Sequence, residues 1–165
     1  MGDSGDALAG NPAFLSIGVK PLAILTALLA PAQMLGKTPA GNRKIAPVLG
    51  GTFIGPDISG KILPFGGDWA LTRADGVLTL NVRLTIETDD GALVHCSYSG
   101  MRHGPPEVIG RLARGEAVDP AEMYFRIAPK FETAAPRYDW LNRILAIGTG
   151  ERLANGPRYS IYQVL

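Results

Sequence analysis

Asp68, Trp69, Arg83, Tyr124, Arg126, Glu132, Trp140 and Asn142 stand inside or directly beside apolar runs in this sequence. An isolated charge drawn into such surroundings costs several kcal/mol, so these groups must either pair with one another, line a wet pocket, or face water. In a pocket, a carboxylic acid with a raised pKa and a carboxylate held ionised by arginine can divide acid and base roles. On a surface, the same residues together with Glu87 read as a structural ion-pair network.

The elements that must position them are strands. Between Val77 and Thr88, Leu78, Leu80, Val82, Leu84 and Ile86 share one parity, and Thr79, Asn81, Arg83, Thr85 and Glu87 share the other. That alternation predicts a strand with one oily and one polar face. Parity leaves open whether the Arg83 row points into a barrel or out to solvent. Asp75-Gly76 and Asp90-Gly91 supply tight-turn chemistry at its ends, so Trp69–Arg73, Val77–Thr88 and Ala92–Ser99 should form an antiparallel meander. The glycines at 66 and 67 permit a bulge or a close backbone approach that would aim Asp68 and Trp69 into a cavity.

Elsewhere the chain punctuates short apolar runs with 21 glycines and 13 prolines, the pattern of an all-β domain. Strands are expected around Leu22–Ala30, with a short helix as the alternative there, and at 45–54, 122–131, 141–148 and 158–165, with a turn at Asn155-Gly156. One short helix should start at Pro106 and stop before Gly115, and Asp119-Pro120 should cap a further turn. About eight strands can close into a barrel wide enough for a small ligand, leaving no exposed edges. The expected architecture is all-β: a single antiparallel closed or nearly closed β-barrel with one short helix, over residues 12–165, preceded by a disordered arm at 1–11.

Several functions are disfavoured. Sixteen basic and fifteen acidic residues leave a net charge of +1, with no basic run to track a phosphate backbone, so no nucleic-acid partner is expected. The apolar run Leu22–Ala30 is too short to span a bilayer, so no membrane partner is expected either. One cysteine, Cys96, fits a reducing compartment, which points to the cytoplasm. His95 and Cys96 should leave opposite faces of a strand, and His103 has no ligand spacing, so no metal site is expected. Gly148-Thr149-Gly150 lacks the third glycine of a dinucleotide fingerprint and reads better as a hairpin cluster.

The stretches GGTFIGPDISGKILPFGGDW, the Arg83 strand ending TDDG, MYFRIAPKFET and RYDWLNRILAIG together resemble the domain of unknown function 3237 family, in order, from about Pro21 to Leu165. The resemblance implies an antiparallel barrel and cofactor-free chemistry, with ring closure by adding a hydroxyl across an alkene as the best suggestion. Carried over by motif, the catalytic positions would be Asp68, Glu132, Arg83 and Arg126, the carboxyls as acid and base and the arginines setting charge and holding an oxyanion. Trp69, Tyr124, Trp140 and Asn142 would bind substrate. Phe65 stands where that pattern has a small residue.

The functional expectation is therefore a cyclase- or isomerase-type enzyme, without cofactor, acting on a small apolar or aromatic, polyketide-like molecule. Two alternatives stand beside it: a barrel that only binds such a ligand, and a structural module that forms a homo-oligomer through its aliphatic N-terminal strand.

Overall fold

The computed structural model describes residues 15–165, and the arm expected at 1–11 lies outside the described residues. The strands are β1 (Val19–Leu29), β2 (Gln33–Thr38), β3 (Gly41–Ile54), β4 (Ser59–Ile62), β5 (Gly66–Asp68), β6 (Leu71–Thr72), β7 (Leu78–Thr88), β8 (Leu93–His103), β9 (Tyr124–Glu132), β10 (Ala146–Leu153) and β11 (Gly156–Val164). A single α-helix, α1 (Pro106–Ala113), and 3-10 segments at Pro120–Glu122 and Pro136–Arg143 complete the described chain.

All strands belong to one antiparallel sheet. Its order runs β1, β11, β10, β9, β8, β7, then β4, β5 and β6 in succession along β7, then β3. β3 pairs back to β1, with Leu25 opposite Phe53 and Ala27 opposite Gly51, and this ladder closes an eight-stave barrel. β2 lies on the same side of β3 as β1, pairing with its first residues after β1 has ended. Closure brings the backbone of β3 against that of β1 too closely for a side chain at Gly51. Gly51 has φ of +142°, and a Cβ there would sit 2.0 Å from the Thr26 carbonyl oxygen.

The aliphatic run forms β1, a strand paired on both sides. Leu22, Ala23, Leu25 and Ala27 are buried, while Val19, Ile24 and Leu28 are exposed. Leu25 is therefore unavailable to a partner subunit, which removes it from the surface the oligomer alternative requires. Among the described residues no helix is long and apolar enough to cross a membrane.

The sheet's parity is now fixed. Leu78, Leu80, Val82, Leu84 and Ile86 face inward, and Arg83 faces out. The barrel is filled at one end by Phe53, Ile86, Val94, Cys96, Phe131 and Leu141, with the Phe53 and Phe131 rings edge to face at 5.9 Å. Each of these aliphatic and phenylalanine side chains contributes about 1.5–3 kcal/mol of burial. The Pro136–Arg143 segment joins β9 to β10 at this end.

Two segments differ from the sequence expectation for identifiable reasons. The strand expected at Trp69–Arg73 is divided, because Trp69 N–H bonds to Asn81 O (3.0 Å) while Ala70 O accepts from Lys44 N–H (3.0 Å), so the chain steps between β7 and β3. The strand expected at 141–148 starts only at Ala146. Asn142 instead fastens the preceding 3-10 segment to Thr133, accepting its N–H and donating to its carbonyl, both at 2.9 Å. The α1 and Asp119 expectations match. Gly115 has φ of +78° beyond the helix, and Asp119 accepts Ala121 N–H while Glu122 accepts Asp119 N–H.

Phe65 is the one non-glycine with positive φ among the described residues, at +78°, and its side chain is exposed. A left-handed L-residue costs about 1–2 kcal/mol. Phe65→Gly should raise the thermal midpoint by a few degrees in a calorimetric scan, and an unchanged midpoint would show that no strain is held there.

Candidate active site

The other half of the barrel is hollow. Where β1, β8 and β10 end and β3, β7, β9 and β11 begin, a cavity of about 340 Å³ is lined by Leu78, Leu80, Val82, Tyr98, Phe125 and Tyr159. Its charged groups are Lys44, Asp68, Arg102 and Arg152. The β1–β2 connection, through Ala30, Pro31 and Ala32, and the β10–β11 turn, through Ala154 and Asn155, complete the lining.

Asp68 reaches this site because Gly66 lets β5 approach β7 closely; a Cβ there would meet Arg83 O at 2.6 Å. One Asp68 carboxylate oxygen accepts the Asn81 N–H at 3.0 Å. Burial raises its pKa above the usual carboxylate value, and the pull of that hydrogen bond and of Lys44, Arg102 and Arg43 in the other direction is the smaller effect. Burial, followed by the Arg102 charge, lowers the pKa of Lys44. Burial and then Arg152 lower that of Arg102.

Part of the wall is aromatic. Tyr159 meets Tyr98 and Phe125 edge to face, at centroid separations of 5.4 and 5.3 Å. Burial raises the pKa of both tyrosines, so each stays a neutral hydroxyl. Arg102 lies over the Phe125 ring at 5.8 Å. Gly148-Thr149-Gly150 belongs to β10, and Gly150 makes room for this cluster, since a Cβ there would stand 2.8 Å from the Phe125 ring and 2.9 Å from that of Tyr159. Among the described residues, two buried guanidinium nitrogens that line this cavity, Arg102 Nε and Arg152 Nη1, have no hydrogen-bond partner. Such orphans are rare in folded proteins, and a bound water, ion or ligand is among the usual ways they are satisfied.

Of the residues expected from sequence, the structure brings Asp68 alone into this cavity. Arg83, Arg126 and Glu132 lie on the outer wall, because each occupies the parity opposite to its strand's buried row. The pairing of Asp68 with Glu132 inside one pocket is accordingly corrected. Trp69 is on the outer wall too, with Arg83 over its ring at 5.9 Å and its edge against Gly67. Tyr124 is half exposed, stacked on His103 and covered by Arg126 at 5.0 Å. Trp140 and Asn142 sit at the filled end, Trp140 packed on the core and Asn142 holding Thr133. Cys96 faces inward, its thiol pushed up by burial to about 12, and His95 faces out. Among the described residues no three His, Cys, Asp or Glu side chains are gathered to hold a metal ion.

Lys44, Arg102, Arg152, Tyr98 and Tyr159 were missed by the sequence reading. A signal for them existed. Arg102 continues the inward row Val94, Cys96, Tyr98, Arg152 continues Gly148 and Gly150, and Lys44 precedes Ala46 and Val48 in the same parity. Cations in register with an oily row, at the strand end, mark a pocket rather than a surface.

Residues 17–164 match the family described as protein of unknown function (DUF3237). The chain belongs to this family. A DUF3237 relative from Rhodopseudomonas palustris, known as a UPF0311 protein, is 41% identical over 86% of this chain and 92% of its own length. The crystal structure of a conserved R. palustris protein of unknown function aligns with a TM-score of 0.89 at 39% identity, covering 92% of this chain and all of that one. A hydroalkoxylation enzyme from Penicillium herquei is 27% identical over 74% of this chain and 67% of its own.

Proposed function

We propose that this barrel is a cofactor-independent enzyme that closes a ring by adding a hydroxyl across an alkene within one small apolar or aromatic substrate. The observation that carries the reading is that Asp68, whose proton affinity is raised, and Lys44, whose proton affinity is lowered, line one cavity. The distant relationship to a hydroalkoxylation enzyme supports it.

The chemistry balances without a co-reactant. In the reactive tautomer of the pair the proton is on Asp68 and not on Lys44: Asp68 gives its proton to one alkene carbon, the substrate hydroxyl oxygen bonds the other, and Lys44 takes the hydroxyl proton. Proton transfer from the Lys44 ammonium back to Asp68, directly or through water, regenerates that tautomer. The product is an isomer of the substrate. Burial, which raises the proton affinity of Asp68 and lowers that of Lys44, enlarges the share of that tautomer, and the apolar walls keep water from capturing the cationic carbon.

The reading is tested by incubating the protein in D2O with aromatic alkenols and following chromatography by mass spectrometry. A ring-closed isomer carrying one carbon-bound deuterium is expected. Uncyclised substrate across the set, or closure without deuterium, would remove the mechanism.

A further inference from the structure

The charge inside the cavity is unbalanced. Lys44, Arg102 and Arg152 face one carboxylate, Asp68, within a lining that is otherwise aliphatic and aromatic. Asp68 already accepts the Asn81 N–H, and the two arginines still present donors that nothing accepts, Arg102 Nε and Arg152 Nη1. The Tyr159 hydroxyl, which accepts from Tyr98, lies in the same lining with its own proton free to donate. Buried guanidinium donors left without an acceptor are costly, and two like charges near each other make the cost larger. Donors so placed in a cavity lining are matched by a ligand that supplies an acceptor.

We infer that the cavity's ligand is a small apolar molecule bearing one acidic oxygen group, ionised and seated on Arg102 and Arg152 with the Tyr159 hydroxyl alongside. This rests on the reading of the cavity as a substrate site. The oxyanion answers the donors and separates the two guanidiniums electrostatically, while the body of the molecule lies against Leu78, Leu80, Val82 and Phe125. A cavity of about 340 Å³ holds a body of one or two rings. The guanidinium end fixes the molecule so that its reacting atoms fall toward Lys44 and Asp68. Carboxylate and phenolate share the needed chemistry.

Three probes of one shape separate the possibilities by calorimetric titration at neutral to mildly alkaline pH: 4-nitrobenzoate, 4-nitrophenol and nitrobenzene. Both anions, or one of them, should bind roughly tenfold or more tighter than nitrobenzene, the discrimination expected of one charge-assisted hydrogen bond. Which anion binds identifies the acidic group, and for 4-nitrophenol the yellow form should persist to lower pH in the complex. Arg102→Met and Arg152→Met should each erase the preference while keeping nitrobenzene affinity. Equal binding of all three probes overturns the anion assignment and leaves the cavity standing as a binding site. Binding of none of them overturns both the assignment and the substrate-site reading. The wild-type comparison decides the matter whether or not either variant folds.

Discussion

Asp68→Asn protein should close the ring about two to four powers of ten more slowly than wild type while folding at least as stably at neutral pH. The rate loss follows because an amide cannot deliver the proton that starts the addition. The fold survives because the amide oxygen can still accept the Asn81 N–H that Asp68 accepts at 3.0 Å. The stability sign comes from burial, which raises the folded pKa of Asp68 above its ordinary 3.8. A raised folded pKa means that the stability owed to this group is complete below 3.8 and is lost as pH rises through the folded value. Asparagine has no such loss, so the variant's advantage should be absent in acid and emerge toward neutrality. Thermal melts across pH check this part without any substrate. An Asp68→Asn protein less stable than wild type at neutral pH would show that the carboxylate serves the fold, and retained turnover would remove it from the chemistry. In wild type the pH–rate profile should be bell-shaped, with both limbs inside the interval from 3.8 to 10.5 set by the unperturbed groups.

Gly51→Ala should destabilise the barrel by roughly 3 kcal/mol or more, adding strained backbone to forced overlap. The added methyl would stand 2.0 Å from the Thr26 oxygen and 3.0 Å from the Ala27 Cα, inside the β1–β3 ladder that closes the cylinder. Neither strand can yield easily, since β1 is held by β11 on its other side and β3 by β4. Gly36→Ala is the control, because Gly36 has φ of +82° but nothing within 4 Å of its Cβ direction. That change should cost only about 1–2 kcal/mol of backbone strain. In chemical denaturation the two midpoints should separate clearly; coincident midpoints would mean that the closing ladder adapts and glycine is not required for closure.

The barrel was legible in the sequence because its signals are local. Alternation in β7, the Asp-Gly turns flanking it and the Asn155-Gly156 turn each depend on a few neighbouring residues, and all match the strands found. The site was harder to read for a geometric reason. A strand's period of two assigns residues to faces but does not say which face closes inward, and that choice is made by strands distant in sequence. Leu78 to Ile86 were therefore rightly grouped, while Arg83 fell on the outside. The groups that meet around the cavity come from β3, β5, β8 and β10, so no spacing within one segment could bring Lys44, Arg102 and Arg152 to notice together. Asp68 was detectable because its placement is local, in the two glycines that precede it. The β2 strand was overlooked since it shows no buried row, with every residue at least partly exposed.

The division of the cylinder into a filled end and a hollow end gives each half its own evolutionary latitude. The long staves are anchored through Phe53, Ile86, Val94 and Phe131, so the opposite termini can exchange side chains without loosening that anchorage. New selectivity can thus arise by swapping a handful of groups at the rim, which makes the scaffold a chassis on which different ring-forming or ligand-holding tasks can be fitted by successive small steps.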